Sequence, residues 1–220
     1  RSGKGIPVRK FVPAYEGNLR KHALSVPRCI SECSGIRVFG RRIKSLVFST
    51  DVAIIKNINA DAIIAVYPFT PQPAITQAII GVSEVPVFCG VGGGLTNGVR
   101  SASMAAYVEH QGAYGVVCNS KIGVETIHAI KDAVEIPVVY TVISENTDIQ
   151  PYLTAGVDII NVSGAARTPE IVGALRQRYP ELPIIATGGP TEESILATIR
   201  AGANAITYTP PSSASLFAKT

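Results

Sequence analysis

The segment Gly156-Val157-Asp158-Ile159-Ile160-Asn161 is one of four copies of the motif that decides the predicted fold. Each copy opens with Asn or Gly followed by Ala or Val, and continues as a short, mainly apolar run. The other copies begin at Asn59, Gly112 and Gly202. Internal repeats of this kind indicate a fold built from similar supersecondary units.

A second motif alternates with the first and begins with an apolar residue followed by proline. Its copies are Val85-Pro86-Val87-Phe88, Ile136-Pro137-Val138-Val139 and Leu182-Pro183-Ile184-Ile185. Proline is permitted at the start of a strand. With Leu46-Val47-Phe48 ahead of them, the repeats predict eight short apolar strands, as expected for strands covered on both faces.

Helical patterns separate these strands, and Thr168-Pro169-Glu170 starts one of them with a cap, a proline and an acidic residue. The predicted helices are 51–59, 72–82, 97–111, 124–134, 169–179 and 192–201. Units of about 22 residues without a long break predict a (β/α)8 TIM barrel of eight parallel strands over residues 45–220. An open doubly wound sheet is the alternative, but the repeat shows no break for a topological switch point.

Charge is distributed unevenly along the chain. Residues 1–44 hold eleven Lys and Arg and two Glu, whereas residues 45–220 hold nine Lys and Arg and fourteen Asp and Glu. The net charges are therefore +9 and −5, which sum to the overall +4. We interpret residues 1–44 as a basic N-terminal extension packed on the barrel or on a neighbouring subunit, and we expect a homo-oligomer. No aromatic and basic interleaving supports nucleic acid as a partner.

Composition excludes other classes of protein. The chain has 220 residues, of which 46% are hydrophobic and 16% charged, so it is not a disordered chain. It contains no apolar run long enough to predict a membrane span. Four cysteines are too few for a disulfide framework, and we expect a reducing, cytoplasmic location.

Inward-facing strand positions become more polar toward the strand C-termini. Three successive layers of equivalent positions are Ala62, Gly115, Ile159 and Ala205; then Ile64, Val117, Asn161 and Thr207; then Val66, Asn119, Ser163 and Thr209. An unpaired buried polar group costs about 1–3 kcal/mol. The pattern therefore predicts a ligand site at the C-terminal end of the barrel, and the alternative is a set of side chains that bond one another.

The last two predicted strands end in glycines and hydroxyls typical of a phosphate site. Paired glycines let the backbone approach an anion, and N–H groups at a helix start point at it. Turns that merely need glycine are the alternative. The predicted phosphate residues are Thr187, Gly188, Gly189, Thr209, Ser212 and Ser213, and further predicted substrate-binding residues are Asn119, Asn161, Ser163 and Arg167.

The segments 184–189 and 201–206 resemble the last quarter of ribulose-phosphate-binding-type barrels. Those include N-acylglucosamine-6-phosphate 2-epimerase, thiamine-phosphate synthase, the histidine- and tryptophan-biosynthesis barrels and the glycerol-responsive antiterminator barrel; some FMN-binding barrels share the feature. The resemblance implies binding of a small phosphorylated ligand and no particular reaction. The catalytic lysines that the epimerase and the class I aldolases would need are absent, since Asn161 stands at the aldolase position.

Few charged residues follow the predicted strands at their C-terminal ends. We interpret Asp51 and Glu145 as a candidate acid/base pair and Lys121 as the electrophilic partner. This favours isomerisation, epimerisation or carbon–carbon cleavage of a sugar-phosphate type metabolite, with hydrolysis by the same carboxylates as an alternative. No protein-bound metal and no cofactor is predicted, while FMN or a Mg²⁺ carried by the substrate stays open.

A regulatory module is the alternative from another class. In that interpretation the barrel senses a phosphorylated ligand without turning it over, and the basic extension contacts a partner.

Overall fold

The computed structural model describes residues 10–219, and within them eight parallel strands close into a barrel. A two-stranded hairpin precedes the barrel and consists of β1 (Ile36–Val38) and β2 (Arg41–Ile43). The barrel strands are β3 (Ser45–Phe48), β4 (Ala62–Ala65), β5 (Val87–Gly92), β6 (Gly115–Cys118), β7 (Val138–Val142), β8 (Ile159–Val162), β9 (Ile184–Thr187) and β10 (Ala205–Tyr208). Their order is sequential and β10 pairs with β3, which confirms the predicted (β/α)8 barrel.

Helices cover the outside of the barrel. They are α1 (Val52–Asn57), α2 (Pro73–Val82), α3 (Val99–His110), α4 (Val124–Ala133), α5 (Gln150–Ala155), α6 (Thr168–Arg178), α7 (Glu192–Arg200) and α8 (Ser213–Phe217). Short 3-10 turns occupy Asn18–Arg20, Arg28–Glu32 and Ala165–Arg167. No helix within residues 10–219 is both long enough and apolar enough to cross a membrane.

Two apolar layers sandwich the strands, and the alternation along each strand decides which layer a residue joins. Residues such as Val116 and Ile160 face the helices in the larger outer layer. The smaller layer fills the barrel interior and contains Ala62, Ile64 and Val117, as the aligned repeats predict.

The β1–β2 hairpin closes the N-terminal end of the barrel. Val38 and Ile43 are buried against the interior layer. Gly35 donates its N–H to the carbonyl of Asn204, and the N–H of Lys44 donates to Asp61. Asn204 and Asp61 lie just before β10 and β4, so the hairpin leaves the C-terminal mouth open.

Arg176 of α6 holds the loops that enter β9 and β10. Its guanidinium donates to the carbonyls of Pro180 and Leu182 at 2.8 Å each, and to those of Tyr179 and Gly202. It also donates to the side chain of Asn204 at 2.8 Å. One side chain therefore satisfies a whole group of acceptors at this end of the barrel.

Candidate functional site

Two clefts open at the C-terminal mouth of the barrel, on opposite sides of the ring. We call the first the glycine-pair cleft; it measures about 830 Å³ and lies between the loops that follow β8, β9 and β10. The second, the lysine cleft, measures about 380 Å³ and lies between the loops that follow β4, β5 and β6. Both are of the size that small ligands occupy.

The glycine-pair cleft contains four of the six predicted phosphate residues. Thr187, Gly188, Gly189 and Thr209 line it together with Thr207. Ser212 and Ser213 do not line it, because their side chains serve the start of α8. Ser212 caps that helix by accepting from the N–H of Ser215 at 3.1 Å.

Two backbone donors among the predicted phosphate residues are already used by the chain. Gly188 donates its N–H to the carbonyl of Thr207 at 3.2 Å, and Ser213 donates its N–H to Asp51 at 3.3 Å. Gly189 makes no hydrogen bond within residues 10–219, so its N–H remains available. No Lys or Arg of residues 10–219 lines the cleft, and Glu192 and Glu193 open the neighbouring helix α7. This cleft therefore suits a neutral, hydroxyl-bearing group better than a dianion.

The lysine cleft carries the positive charge of the mouth. Lys121 lines it, is exposed, and has no carboxylate within ion-pair distance in the described part of the chain. Asn119 fixes the loop by accepting from the N–H of Lys121 at 3.0 Å and by donating its own N–H to the carbonyl of Gly92. A charged group of a ligand can be neutralised here.

The glycine-rich loop after β5 forms the opposite wall of the lysine cleft. Gly93 has φ +112° and donates its N–H to the carbonyl of Thr96 at 2.7 Å, which closes a tight turn. A Cβ at Gly93 would overlap the side chain of Asn119. The glycine is needed both for the turn and for the close approach of Asn119. Tyr67 and Phe69 also line this cleft, and no motif in the sequence pointed to them.

Two buried polar atoms of the inward-facing layer have no partner within residues 10–219. Asn161 is 8% exposed and donates from Nδ2 to Thr141 Oγ1 at 3.3 Å, but its Oδ1 accepts nothing within residues 10–219. Thr207 is 6% exposed, and its hydroxyl has no partner there either. Each such atom costs about 1–3 kcal/mol, and buried polar atoms are normally paired. A self-bonded set of side chains therefore does not account for the polar layer. Ser163 is half-buried and lines neither cleft.

Asp51 acts as a helix cap and as a tie to the C-terminal helix. Its Oδ1 accepts from the N–H groups of Ala53 and Ile54, and its Oδ2 accepts from the Ser213 hydroxyl at 2.6 Å. The Ser213 hydroxyl bond lowers the pKa of Asp51 most. Asp51 lines neither cleft. The geometry thus gives this carboxylate a positioning role where β10 meets β3.

Replacing Asp51 should separate these two roles. Asp51→Ala loses both and should cost about 2 kcal/mol of the free energy of unfolding at pH 7, whereas Asp51→Asn keeps a good cap and should cost about half as much. A lowered folded-state pKa stabilises the protein above the unfolded pKa of about 3.9, and that contribution disappears as the pH falls through the folded value. Urea unfolding at pH 7 and pH 3 measures this, and an unchanged gap between wild type and Asp51→Asn would contradict it.

Glu145 is paired with Arg167 rather than directed into a cleft. Its Oε2 contacts Arg167 Nη2, and Arg167 Nε also donates to Glu170 at 3.2 Å. The hydrogen bond that Arg167 donates to Glu145 is the main reason why the pKa of Arg167 is raised. Neither residue lines a cleft. The structure therefore does not gather Asp51, Glu145 and Lys121 into one cluster.

No three His, Cys, Asp or Glu side chains come together as a metal-binding group within residues 10–219. The four cysteines are free thiols and all are buried. Burial raises the pKa of Cys89 to about 12 and that of Cys33 to about 11. These thiols are correspondingly poor nucleophiles at neutral pH.

No protein-family model and no curated protein sequence matches the chain. Solved structures do match the chain in their fold. A phosphonopyruvate hydrolase in complex with oxalate and Mg²⁺ is 15% identical, with a TM-score of 0.61, and the match covers 82% of this chain and 79% of that one. A phosphoenolpyruvate phosphomutase from Streptomyces platensis subsp. rosaceus is 15% identical, with a TM-score of 0.61 and coverage of 80% and 78%. A mandelate oxidase is 14% identical, with a TM-score of 0.60 and coverage of 90% and 71%.

At these identities the likeness establishes the (β/α)8 barrel. The neighbours support that fold and do not confirm the resemblance to ribulose-phosphate-binding barrels. They include enzymes of different reaction classes, as expected for a fold that carries many chemistries on its loops. The function of this chain has to be argued from its own site.

Proposed function

We propose that the protein is a TIM-barrel enzyme acting on a small phosphorylated metabolite, as an isomerase, epimerase or lyase. The observation that carries the proposal is the pair of buried atoms Asn161 Oδ1 and Thr207 Oγ1, which have no partner within residues 10–219, in a barrel whose mouth holds two open clefts. A folded protein retains such a cost where a ligand removes it. Phosphoenolpyruvate phosphomutase, phosphonopyruvate hydrolase and mandelate oxidase are among the structural neighbours, which is compatible with an enzyme.

In this proposal the two ends of the substrate bind in different clefts. Its phosphate lies beside Lys121, which has no carboxylate partner among residues 10–219. Its hydroxyl-bearing end extends over Asn161 and Thr207 toward Gly189 and Thr209. The sequence alone placed the phosphate at the glycine pair. The proposal places it in the lysine cleft instead, because Gly188 and Ser213 have already used their N–H groups.

The proposed chemistry is proton transfer beside a cation. Lys121 would stabilise negative charge that develops on a substrate oxygen. Glu145 is the remaining candidate base, and to act as one its carboxylate has to leave Arg167 and turn into the mouth, since it lines neither cleft. Hydrolysis by a water molecule activated at Glu145 uses the same groups. Asp51 is proposed to position α8 and not to exchange protons with substrate.

Thr207→Val tests the proposal directly. The change removes an unpaired hydroxyl at almost constant volume, so the free protein should become more stable by up to about 1 kcal/mol. A phosphorylated compound that raises the Tm of the wild type should raise the Tm of Thr207→Val much less. The measurement is thermal unfolding against a panel of sugar phosphates and three-carbon phosphonates.

Thr168→Val is the matched control for stability. The Thr168 hydroxyl is also buried, but it accepts from the N–H of Gly164 at 3.0 Å and bonds the Thr187 hydroxyl. Its removal should therefore destabilise the protein by about 1–3 kcal/mol. If no phosphorylated compound shifts the Tm, or if Thr207→Val responds like the wild type, the proposal fails.

A phospho-ligand sensor is the second candidate, and one observation favours it. Neither Asp51 nor Glu145 lines a cleft, so the barrel has the parts for binding without a carboxylate at the bound ligand. Glu145→Gln separates the two functions. Loss of turnover with retained ligand stabilisation supports the enzyme, whereas stabilisation without turnover in the wild type supports the sensor.

A further inference from the structure

The turn of the β1–β2 hairpin carries a side chain that does not suit it. Phe39 and Gly40 form the two-residue connection, and both have positive φ, +46° and +81°. Connections of this kind favour Asn or Asp followed by Gly, and a bulky residue at positive φ is strained. Phe39 is also 63% exposed, so packing against residues 10–219 does not account for it.

Tyr114 joins Phe39 and Arg41 in a small aromatic and basic cluster. The two rings meet edge to face with their centroids 5.6 Å apart, and the guanidinium of Arg41 lies 5.9 Å from the Tyr114 centroid. Tyr114 stands just before β6, is half-buried and packs on the interior layer of the barrel. The sequence showed no such combination of side chains, because Tyr114 is distant from the hairpin along the chain.

The hairpin is strongly basic. Residues 36–44 hold three Arg and one Lys and no Asp or Glu. Arg37 and Arg42 are exposed and directly opposite each other in the pairing of β1 with β2, where like charges destabilise a sheet. The three arginines have no carboxylate within ion-pair distance among residues 10–219, and residues 1–9 contain no Asp or Glu. Their charge therefore remains available to an anionic partner.

This basic surface is held firmly and lies away from the mouth. Val38 and Ile43 anchor the hairpin by being buried in the barrel interior. Arg42 donates from Nε to the carbonyl of Ser34 at 2.7 Å. The hairpin closes the N-terminal end of the barrel, whereas both clefts open at the C-terminal end. A ligand bound at the hairpin is thus separate from a substrate in the mouth.

We propose that the hairpin binds single-stranded nucleic acid, with backbone phosphates on the arginines and a base stacked on Phe39. Guanidinium groups pair well with phosphate, and aromatic side chains stack bases of any sequence. An acidic protein segment would account for the arginines and not for an exposed ring in a strained turn, so the cluster favours nucleic acid. This binding does not depend on the function of the mouth.

Fluorescence anisotropy of a labelled oligouridylate of about 12 nucleotides with the full chain tests the proposal. The wild type should bind. Arg37→Gln with Arg41→Gln should bind at least roughly tenfold more weakly, and each lost phosphate contact should lower the slope of log affinity against log salt by about 0.7. Arg100→Gln with Lys121→Met is the matched control. It removes two exposed positive charges at the mouth, so hairpin binding should be unchanged, whereas a nucleotide held in the mouth would be lost.

Phe39→Asn tests the aromatic contact in a variant that keeps the turn. Asn is favoured at this position, so the Tm should stay within about 2 °C of the wild type. The affinity for the oligouridylate should fall at least about fivefold, as expected when one stacked base is lost. Absence of binding at about 50 mM salt, unchanged affinity in Phe39→Asn or in the double arginine variant, or equal weakening in the control would each overturn the proposal. Polyglutamate that competes as well as unlabelled oligouridylate would overturn it too, in favour of an acidic peptide.

Discussion

Lys121→Met is expected to weaken binding of a phosphorylated ligand by roughly 10- to 100-fold, while affinity for its unphosphorylated counterpart stays nearly unchanged. Lys121 is exposed in the lysine cleft without a carboxylate partner among the described residues. A charge-assisted hydrogen bond contributes about 1.5–3 kcal/mol, which corresponds to that loss of affinity. The measurement is calorimetric titration with the sugar phosphate that gives the largest thermal shift, and with the free sugar.

The control for this prediction is Lys131→Met. Lys131 lies further along α4 and pairs with Asp158 at 2.7 Å, so its replacement removes a positive charge of the same size outside the mouth. It should not change affinity. Equal losses for the phosphorylated and the free sugar in Lys121→Met would show that the lysine does not bind the phosphate.

Arg176→Met is expected to lower the free energy of unfolding by about 3 kcal/mol, and the Tm by roughly 6–12 °C. The guanidinium donates to four carbonyls and to the side chain of Asn204, and methionine would leave the carbonyls of Pro180, Leu182 and Gly202 without a donor among residues 10–219. Lysine lacks the planar, forked donors of the guanidinium, so Arg176→Lys should recover less than half of the lost stability. Urea unfolding monitored by circular dichroism measures both.

Arg178→Met is the control for that loss. Arg178 is exposed and contacts the Tyr179 ring with its guanidinium 5.3 Å from the ring centroid. Its replacement should change stability by no more than about 0.5 kcal/mol. Ligand affinity should be unchanged in folded Arg176→Met, because Arg176 acts at the N-terminal end. A stability loss below about 1 kcal/mol would contradict the role of Arg176 as a central tie.

The barrel could be predicted because its evidence is local and repeated. Each copy of the two motifs supplies a strand in a known register, so the alignment also placed Asn161 and Thr207 inside the ring. The helix Gln150–Ala155 was not among the predicted helices, because it is six residues long and has neither a side-chain cap nor an acidic residue in its first turn. A weak helical pattern of that length carries little signal by itself.

The roles of the charged residues could not be predicted in the same way. An aspartate directly after a strand, such as Asp51, can be a catalytic base or a helix cap. The residue that distinguishes the two roles, its partner Ser213, is 162 residues away in the sequence. Glu145 and Lys121 look equivalent as loop residues, but folding brings Arg167 to the first and no carboxylate to the second. The free N–H of Gly189 and the used N–H of Gly188 likewise depend on where β10 pairs with β9.

A crystal structure with a bound sugar phosphate tests the central claim most directly. The account predicts the phosphate within hydrogen-bonding distance of Lys121 Nζ, and ligand oxygens on Asn161 or on the Thr207 hydroxyl. A phosphate held at Gly189 away from Lys121, or a ligand bound outside the mouth with Asn161 and Thr207 still unpartnered, would contradict it.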